Sequence, residues 1–234
     1  ANKCFIVEGY TDVISMYQNG IENVVSASGT SLGAYQIELI KRSTNNVVLL
    51  FDGDKAGVKA TIRSIDLCLK AEMNVRIATF PEGEDPDSYS RKLTTNEFKE
   101  YLNKKAINFV DYLIHLYRLK EETDPAKIIE IKKKIILSIS EIPDIFSREE
   151  YCKIYHAKLG VTEQALLQQV SKARAMIKRG PKDSLRRGEE PLIAQKKSKN
   201  TAEQKLQKQE CEVLRLLINY GNETFIIDEE EESV

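Results

Sequence analysis

Four short β-rich runs, "CFIVEG", "ENVVSASGT", "NVVLLFDGD" and "NVRIATF", alternate with segments of helical period in the first part of the chain. Nothing else in the sequence restricts the fold so strongly, because the hydrophobic period must keep switching between strand and helix. "TDVISMYQNG" has Val13, Ile14 and Tyr17 as its apolar residues and Gly20 as a stop, "LGAYQIELIKRS" reads as the second helix, and "AGVKATIRSIDLCLKAE" carries a stripe of Ile62, Ile65 and Leu69. A βαβαβαβ order with right-handed crossovers gives a parallel sheet flanked by helices, so residues 1–95 are expected to form an α/β domain.

Beyond residue 95 the strand signal disappears. "NEFKEYLN", "AINFVDYLIHLYRL", "PAKIIEIKKKIILSISEI", "SREEYCKIYHAKLG" and "TEQALLQQVSKARAMIKR" read as amphipathic helices, which makes residues 96–179 an all-α bundle. Pro125 sits early in one helix and Pro143 just after its end. Ser147 followed by Glu150 has the form of a capping box. Residues 180–201 are polar, broken by Gly and Pro, and read as a linker. Residues 202–234 hold one last helix, from Ala202 to Tyr220, and the acidic run Asp228–Glu232.

The 41% hydrophobic and 30% charged content describes a globular chain, and no apolar run nears the roughly 20 residues that span a bilayer. No signal peptide is read, since the amino terminus enters a strand almost at once. Cys4, Cys68, Cys152 and Cys211 form no Cys-x-x-Cys pair, which excludes a zinc module and a disulfide scaffold and fits a reducing cytoplasm. The net charge of -1 hides a basic run containing Lys172, Arg174, Lys178 and Arg179. Such a run holds nucleic acid or is a solvated helix end leading into a linker; the second reading is the commoner.

"VVLLFDGDKAG" brings a buried strand directly to two like charges. Side chains two apart on extended backbone point the same way, so Asp52 and Asp54 converge across Gly53. Two neighbouring carboxylates stay ionised only with a cation close by, and a hard, oxygen-seeking ion such as magnesium is the economical choice. The competing reading makes Asp52 the start of a turn and Asp54 the cap of the next helix. Two further acidic clusters follow strands: Glu8 with Asp12 in "EGYTD", and Asp85 with Asp87 in "EDPD". Three such clusters at the carboxyl edge of one parallel sheet lie where α/β folds bind ligands and suit one or two carboxylate-held metal ions.

"FIVEGYTDVI", "SASGTSL", "NNVVLLFDGDKAGVKA" and "FPEGEDPDSY", in this order, resemble the Toprim core of bacterial DnaG-type DNA primases, and the bundle to about residue 175 resembles the one that ends the primase polymerase domain. The resemblance implies metal-dependent RNA primer synthesis on a single-stranded DNA template from ribonucleoside triphosphates, in the bacterial cytoplasm and away from membranes. It implies Glu8, Asp52 and Asp54 as catalytic acids, and Glu8, Asp52, Asp54, Asp85 and Asp87 as ligands of magnesium, for which manganese can substitute. Asp12 is a further acid of the motif or a helix cap; Lys55 meets a phosphate or balances its neighbours. The glycine turn "SASGTSL" departs from the family's usual Ser-Leu-Gly-Thr. The family's zinc-binding module and the amino-terminal half of its polymerase domain have no counterpart, so the chain is expected to be a fragment. "AEQKLQKQECEVLRLLINYG" resembles the first helix of the replicative-helicase-binding domain, too little of it for helicase contact by this chain.

A Toprim nuclease or topoisomerase fragment, and a non-catalytic module binding metal and nucleic acid, are the competing functions. "AKLGVTEQALLQQV" imitates a helix-turn-helix at Ala157, Gly160 and Val161, a pattern any glycine-ended helix pair produces. His115 and His156 have no second ligand at metal spacing, and Phe109, Tyr112 and Tyr117 are expected in the bundle core.

Overall fold

The computed structural model describes residues 2–27, 32–51, 53–81 and 83–184, all within one compact unit. Five strands form one sheet in the order β2-β1-β3-β4-β5. β1 (Cys4–Val7), β2 (Val24–Ser26), β3 (Asn46–Leu50) and β4 (Asn74–Ile77) run parallel. The fifth strand, β5 (Ile107–Asn108), pairs antiparallel with β4 through Arg76↔Asn108 and Ile77↔Ile107. It departs from the expected all-helical stretch after residue 95. Two residues are too few for a periodic signal, and only the neighbouring strand makes them one.

Alternation along the central strands divides the core. Phe5, Val7, Val48 and Leu50 face Met16 of α1 (Tyr10–Gln18), Tyr89 of α4 (Pro86–Ser90), and Phe98 and Leu102 of α5 (Thr95–Lys105). Cys4, Ile6, Val47 and Leu49 face Ile37 of α2 (Ala34–Lys41) and Ile65 and Leu69 of α3 (Lys55–Lys70). The second cluster continues into α6 (Phe109–Leu116), α7 (Pro125–Glu141), α8 (Ile145–Tyr155) and α9 (Glu163–Ser184), so sheet and helical region share one core across residue 95. Burying a side chain as completely as Ile6 or Leu49 stabilises the fold by roughly 1.5–3 kcal/mol.

Several local details differ from the sequence reading. α1 turns Asp12, Ser15 and Met16 inward, while Ile14 and Tyr17 are 56% and 61% exposed. Met16 and Val13 of this short helix meet the core while Ser15 meets Asp87 of α4, so the apolar Ile14 and Tyr17 are left outside. Asp144, not Ser147, caps α8: its carboxylate accepts from the Ser147 N–H at 2.6 Å, which puts Ser147 inside the first turn. The acidic cluster "EDPD" opens the five-residue α4, with proline in its first turn. α9 crosses Gly180 and Pro181 to Ser184, without the one backbone bond a proline cannot donate. The rest of the expected linker and residues 202–234 lie outside the described residues, as does Cys211.

At the helix-turn-helix look-alike, Gly160 has φ 61° and the Val161 N–H reaches the His156 carbonyl at 3.1 Å. A glycine in the left-handed region closes α8 and turns the chain into α9, as in an ordinary bundle. Phe109 and Tyr112 are in the core and Tyr117 packs against it. Burial pushes the thiols of Cys4 and Cys152 up to about 11 and that of Cys68 up to about 12, so all three stay protonated and inert at neutral pH. No helix among the described residues is long and apolar enough to cross a membrane.

Candidate functional site

Because β1, β3 and β4 are parallel neighbours, the segments that follow them leave the sheet at one edge. Glu8 follows β1, Gly53 and Asp54 come just after β3, and the loop after β4 leads to Asp85 and Asp87. Adjacent strands lie about 4.8 Å apart, so the chain leaves them side by side. Asp52 and residues 28–31 lie outside the described residues, and so does the Lys55 side chain.

Asp54 caps α3: its Oδ1 accepts from the Gly57 N–H at 2.6 Å. Asp85 caps α4 in the same way, its Oδ1 accepting from the Ser88 N–H at 2.6 Å while Ser88 Oγ accepts from the Asp85 N–H at 3.1 Å. An ionised carboxylate has about four lone-pair sites, so a cap through one oxygen fixes the other without using it. For Asp54, capping and metal binding are therefore compatible duties. Asp12 is buried in the first turn of α1, where Oδ2 accepts from the Gly9 N–H at 3.0 Å. Glu8, one residue before that turn, is half-buried.

Asp87 is placed differently. Its Oδ1 accepts from Ser15 Oγ and from Arg91 Nε at 2.8 Å, and its Oδ2 from Arg91 Nη2 at 3.0 Å. Glu84, which no motif singled out, accepts from Lys92 Nζ and, at 2.8 Å, from Ser88 Oγ; these bonds hold its carboxyl below the usual glutamate range. No local spacing marks Ser15, 72 residues from Asp87, whereas Arg91 stands four residues after Asp87 and Glu84 four before Ser88, the spacing of helical pairs that could have found them.

Among the described residues, to which Asp52 does not belong, no three His, Cys, Asp or Glu side chains form a group that could hold a metal ion. The donor chemistry fits a hard cation nonetheless, since Glu8, Asp54 and Asp85 are all oxygen donors and two of them are oriented by caps. A methyl group placed on Gly53 would meet nothing within 4 Å, and its φ is outside the left-handed region. The chain itself does not need glycine there, which leaves the space beside Asp54 open to a ligand.

The basic run divides. Lys172 and Lys178 are exposed on α9. Arg174 is half-buried, and its Nη1 donates to the carbonyls of Ser140 and Glu141 at 3.2 Å each. It caps the carboxyl end of α7, where a cation also meets the negative end of the helix dipole, and is thereby removed from the expected nucleic-acid contacts. The Arg179 side chain lies outside the described residues.

Residues 5–90 match the Toprim-like family. The chain is 36% identical to a DNA primase of Clostridium acetobutylicum over 167 residues, which is 71% of this chain and 28% of that protein. It is 29% identical over 198 residues to a DNA primase of Halalkalibacterium halodurans, covering 84% of this chain and 33% of the relative. The chain thus spans about a third of the length of the curated relatives it matches. Among solved structures, a DNA primase domain from Pseudomonas aeruginosa superposes with a TM-score of 0.62 at 27% identity, over 75% of this chain and 55% of that one. A DnaG primase catalytic domain bound to single-stranded DNA gives a TM-score of 0.60 at 30% identity, over 70% and 53%.

Proposed function

The chain carries a Toprim core of the bacterial DnaG-type primase family, and from that premise we propose that it is the metal-binding, nucleotidyl-transfer part of a primase that makes RNA primers on single-stranded DNA. The observation that supports this reading is that the parallel neighbours β1, β3 and β4 send the chain out at one sheet edge ahead of their acidic residues, with Asp54 and Asp85 each held by a helix cap through a single oxygen.

Glu8, Asp52, Asp54 and Asp85 are the residues that would hold magnesium, or manganese in its place. The ion would stabilise the attacking and leaving oxygens when a 3'-hydroxyl displaces pyrophosphate from an incoming ribonucleoside triphosphate. The caps on Asp54 and Asp85 keep their free oxygens from turning away, so little reorganisation is needed when a ligand arrives. Glu8, two residues before α1, would take the proton of that hydroxyl or help position the ion. Open space at Gly53 admits phosphate close to the backbone. Exposed Lys172 and Lys178 supply phosphate contacts to the template strand.

The test is a chimera in which this chain replaces its homologous segment in the Clostridium acetobutylicum primase. Primer synthesis by the chimera, lost on Asp52→Asn, is expected. A soluble chimera that binds manganese and makes no primers would refute the proposal.

A further inference from the structure

Asp87 stands in the same short motif as Asp85, yet its surroundings are different. We propose that Asp87 is a positioning residue and not a metal ligand: it braces α4 against α1 and so aims Asp85. The inference rests on reading the sheet edge as a metal site.

Asp54 and Asp85 each give one oxygen to a cap, whereas both oxygens of Asp87 are engaged, one by Ser15 and Arg91 and the other by Arg91. A cation approaching either oxygen of Asp87 meets a guanidinium already paired with it, and like charges repel. Ser15 is buried and comes from α1, so it has little freedom to turn away. The same two helices are joined once more, one turn along: Asn19 Nδ2 donates to the Ser90 carbonyl at 2.6 Å, and Ser90 Oγ donates to the Asp87 carbonyl at 2.9 Å.

α4 has five residues, far fewer than a helix needs to persist unaided. Its position is therefore set by what it is fastened to, and Asp85 is its N-cap. The partner helix begins just after Glu8. One hydrogen-bonded brace thus ties the turn bearing Glu8 to the turn bearing Asp85, with the Asp87 charge neutralised by Arg91.

The experiment titrates manganese by calorimetry into the 234-residue chain, its Asp54→Asn, Asp87→Asn and Arg91→Gln variants, and the Asp87→Asn/Arg91→Gln pair. Asp54→Asn should lose about tenfold or more in affinity. Asp87→Asn alone should lose a few-fold, because it leaves the Arg91 charge unpaired beside the site. The paired variant, amide facing amide, should return to within about twofold of the parent once that charge is gone. A paired variant as weak as Asp54→Asn would make Asp87 a ligand and overturn the proposal; a large gain on Arg91→Gln alone would do the same, by showing a ligand released.

Thermal unfolding tests the brace separately. Ser15→Ala and Asp87→Ala together should lower Tm by less than the sum of the single losses, because either removes the bond from Ser15 Oγ to Asp87 Oδ1, which asparagine would keep. Full additivity would overturn the brace. Unchanged manganese affinity in Asp54→Asn would instead sink the metal reading of the edge, leaving the link between α1 and α4 to be decided by unfolding alone.

Discussion

Asp54 is expected to do two separable things, and the choice of substitution separates them. Alanine removes both the cap on α3 and the charge; asparagine removes the charge and keeps an oxygen for the Gly57 N–H. Loss of an aspartate N-cap costs about 1 kcal/mol, within 0.5–2, and asparagine caps about as well as aspartate. For a unit of this size 1 kcal/mol moves Tm by roughly 2–4 °C, so without metal Asp54→Ala should melt that much lower and Asp54→Asn should melt with the parent. Manganese at about 100 times its dissociation constant adds about 2.7 kcal/mol to a protein that binds it only when folded. The parent should then gain roughly 5–11 °C by the same scale, and both variants much less. The assay is a thermal melt of three proteins with and without manganese. Equal melting of the two variants without metal refutes the cap; a parent-sized manganese gain in Asp54→Asn refutes the ligand.

Gly53→Ala should leave the apo protein at least as stable as the parent, since the site is open and the backbone ordinary, with a gain of up to about 1 kcal/mol from a less flexible unfolded chain; a clear loss in a urea melt would count against this. Arg174→Ala should lower stability by about 1–3 kcal/mol through the uncapped carbonyls and leave the salt dependence of single-strand binding unchanged, whereas Lys172→Ala and Lys178→Ala should each flatten the log–log salt slope by about 0.7. The reverse pattern in a fluorescence anisotropy titration would show Arg174 as a strand contact. Asp66 has its carboxyl raised chiefly by burial, and also by Glu141, against the lowering effect of its Ser138 hydrogen bond and of Lys70. A raised carboxyl makes the folded state hold its proton longer, so its contribution is full below the unfolded value of about 4 and is lost as pH rises through the folded one. Asp66→Asn should therefore stabilise the protein more at pH 7 than at pH 4, and an equal effect at both would contradict the assignment.

The sheet was legible because strands buried on both faces must be apolar runs, and "CFIV" and "NVVLL" cannot serve a chain of this polarity in any other way. The three acidic turns were legible for a related reason: a parallel sheet sends the residues after its strands to one edge whatever their side chains are. Their separate duties were not. That Asp85 keeps an oxygen and Asp87 does not depends on Ser15, and that Arg174 faces inward depends on two carbonyls more than 30 residues away. The burial of Ser15 on α1 is hidden for the same reason, since its partner lies on another helix.

The two-residue strand β5 sets how the protein can be dismantled. It occupies the outer edge of β4, and the helix that follows it lays Phe109, Val110 and Leu113 on the core shared with the sheet. A chain cut after residue 95 would bare a row of unpaired backbone groups on β4 and an apolar sheet face together, the combination that recruits other chains edge to edge. Dissection at the apparent border should thus yield aggregate and not a free-standing catalytic domain. Limited proteolysis of the intact chain should spare that border and cut instead at exposed turns within the helical region.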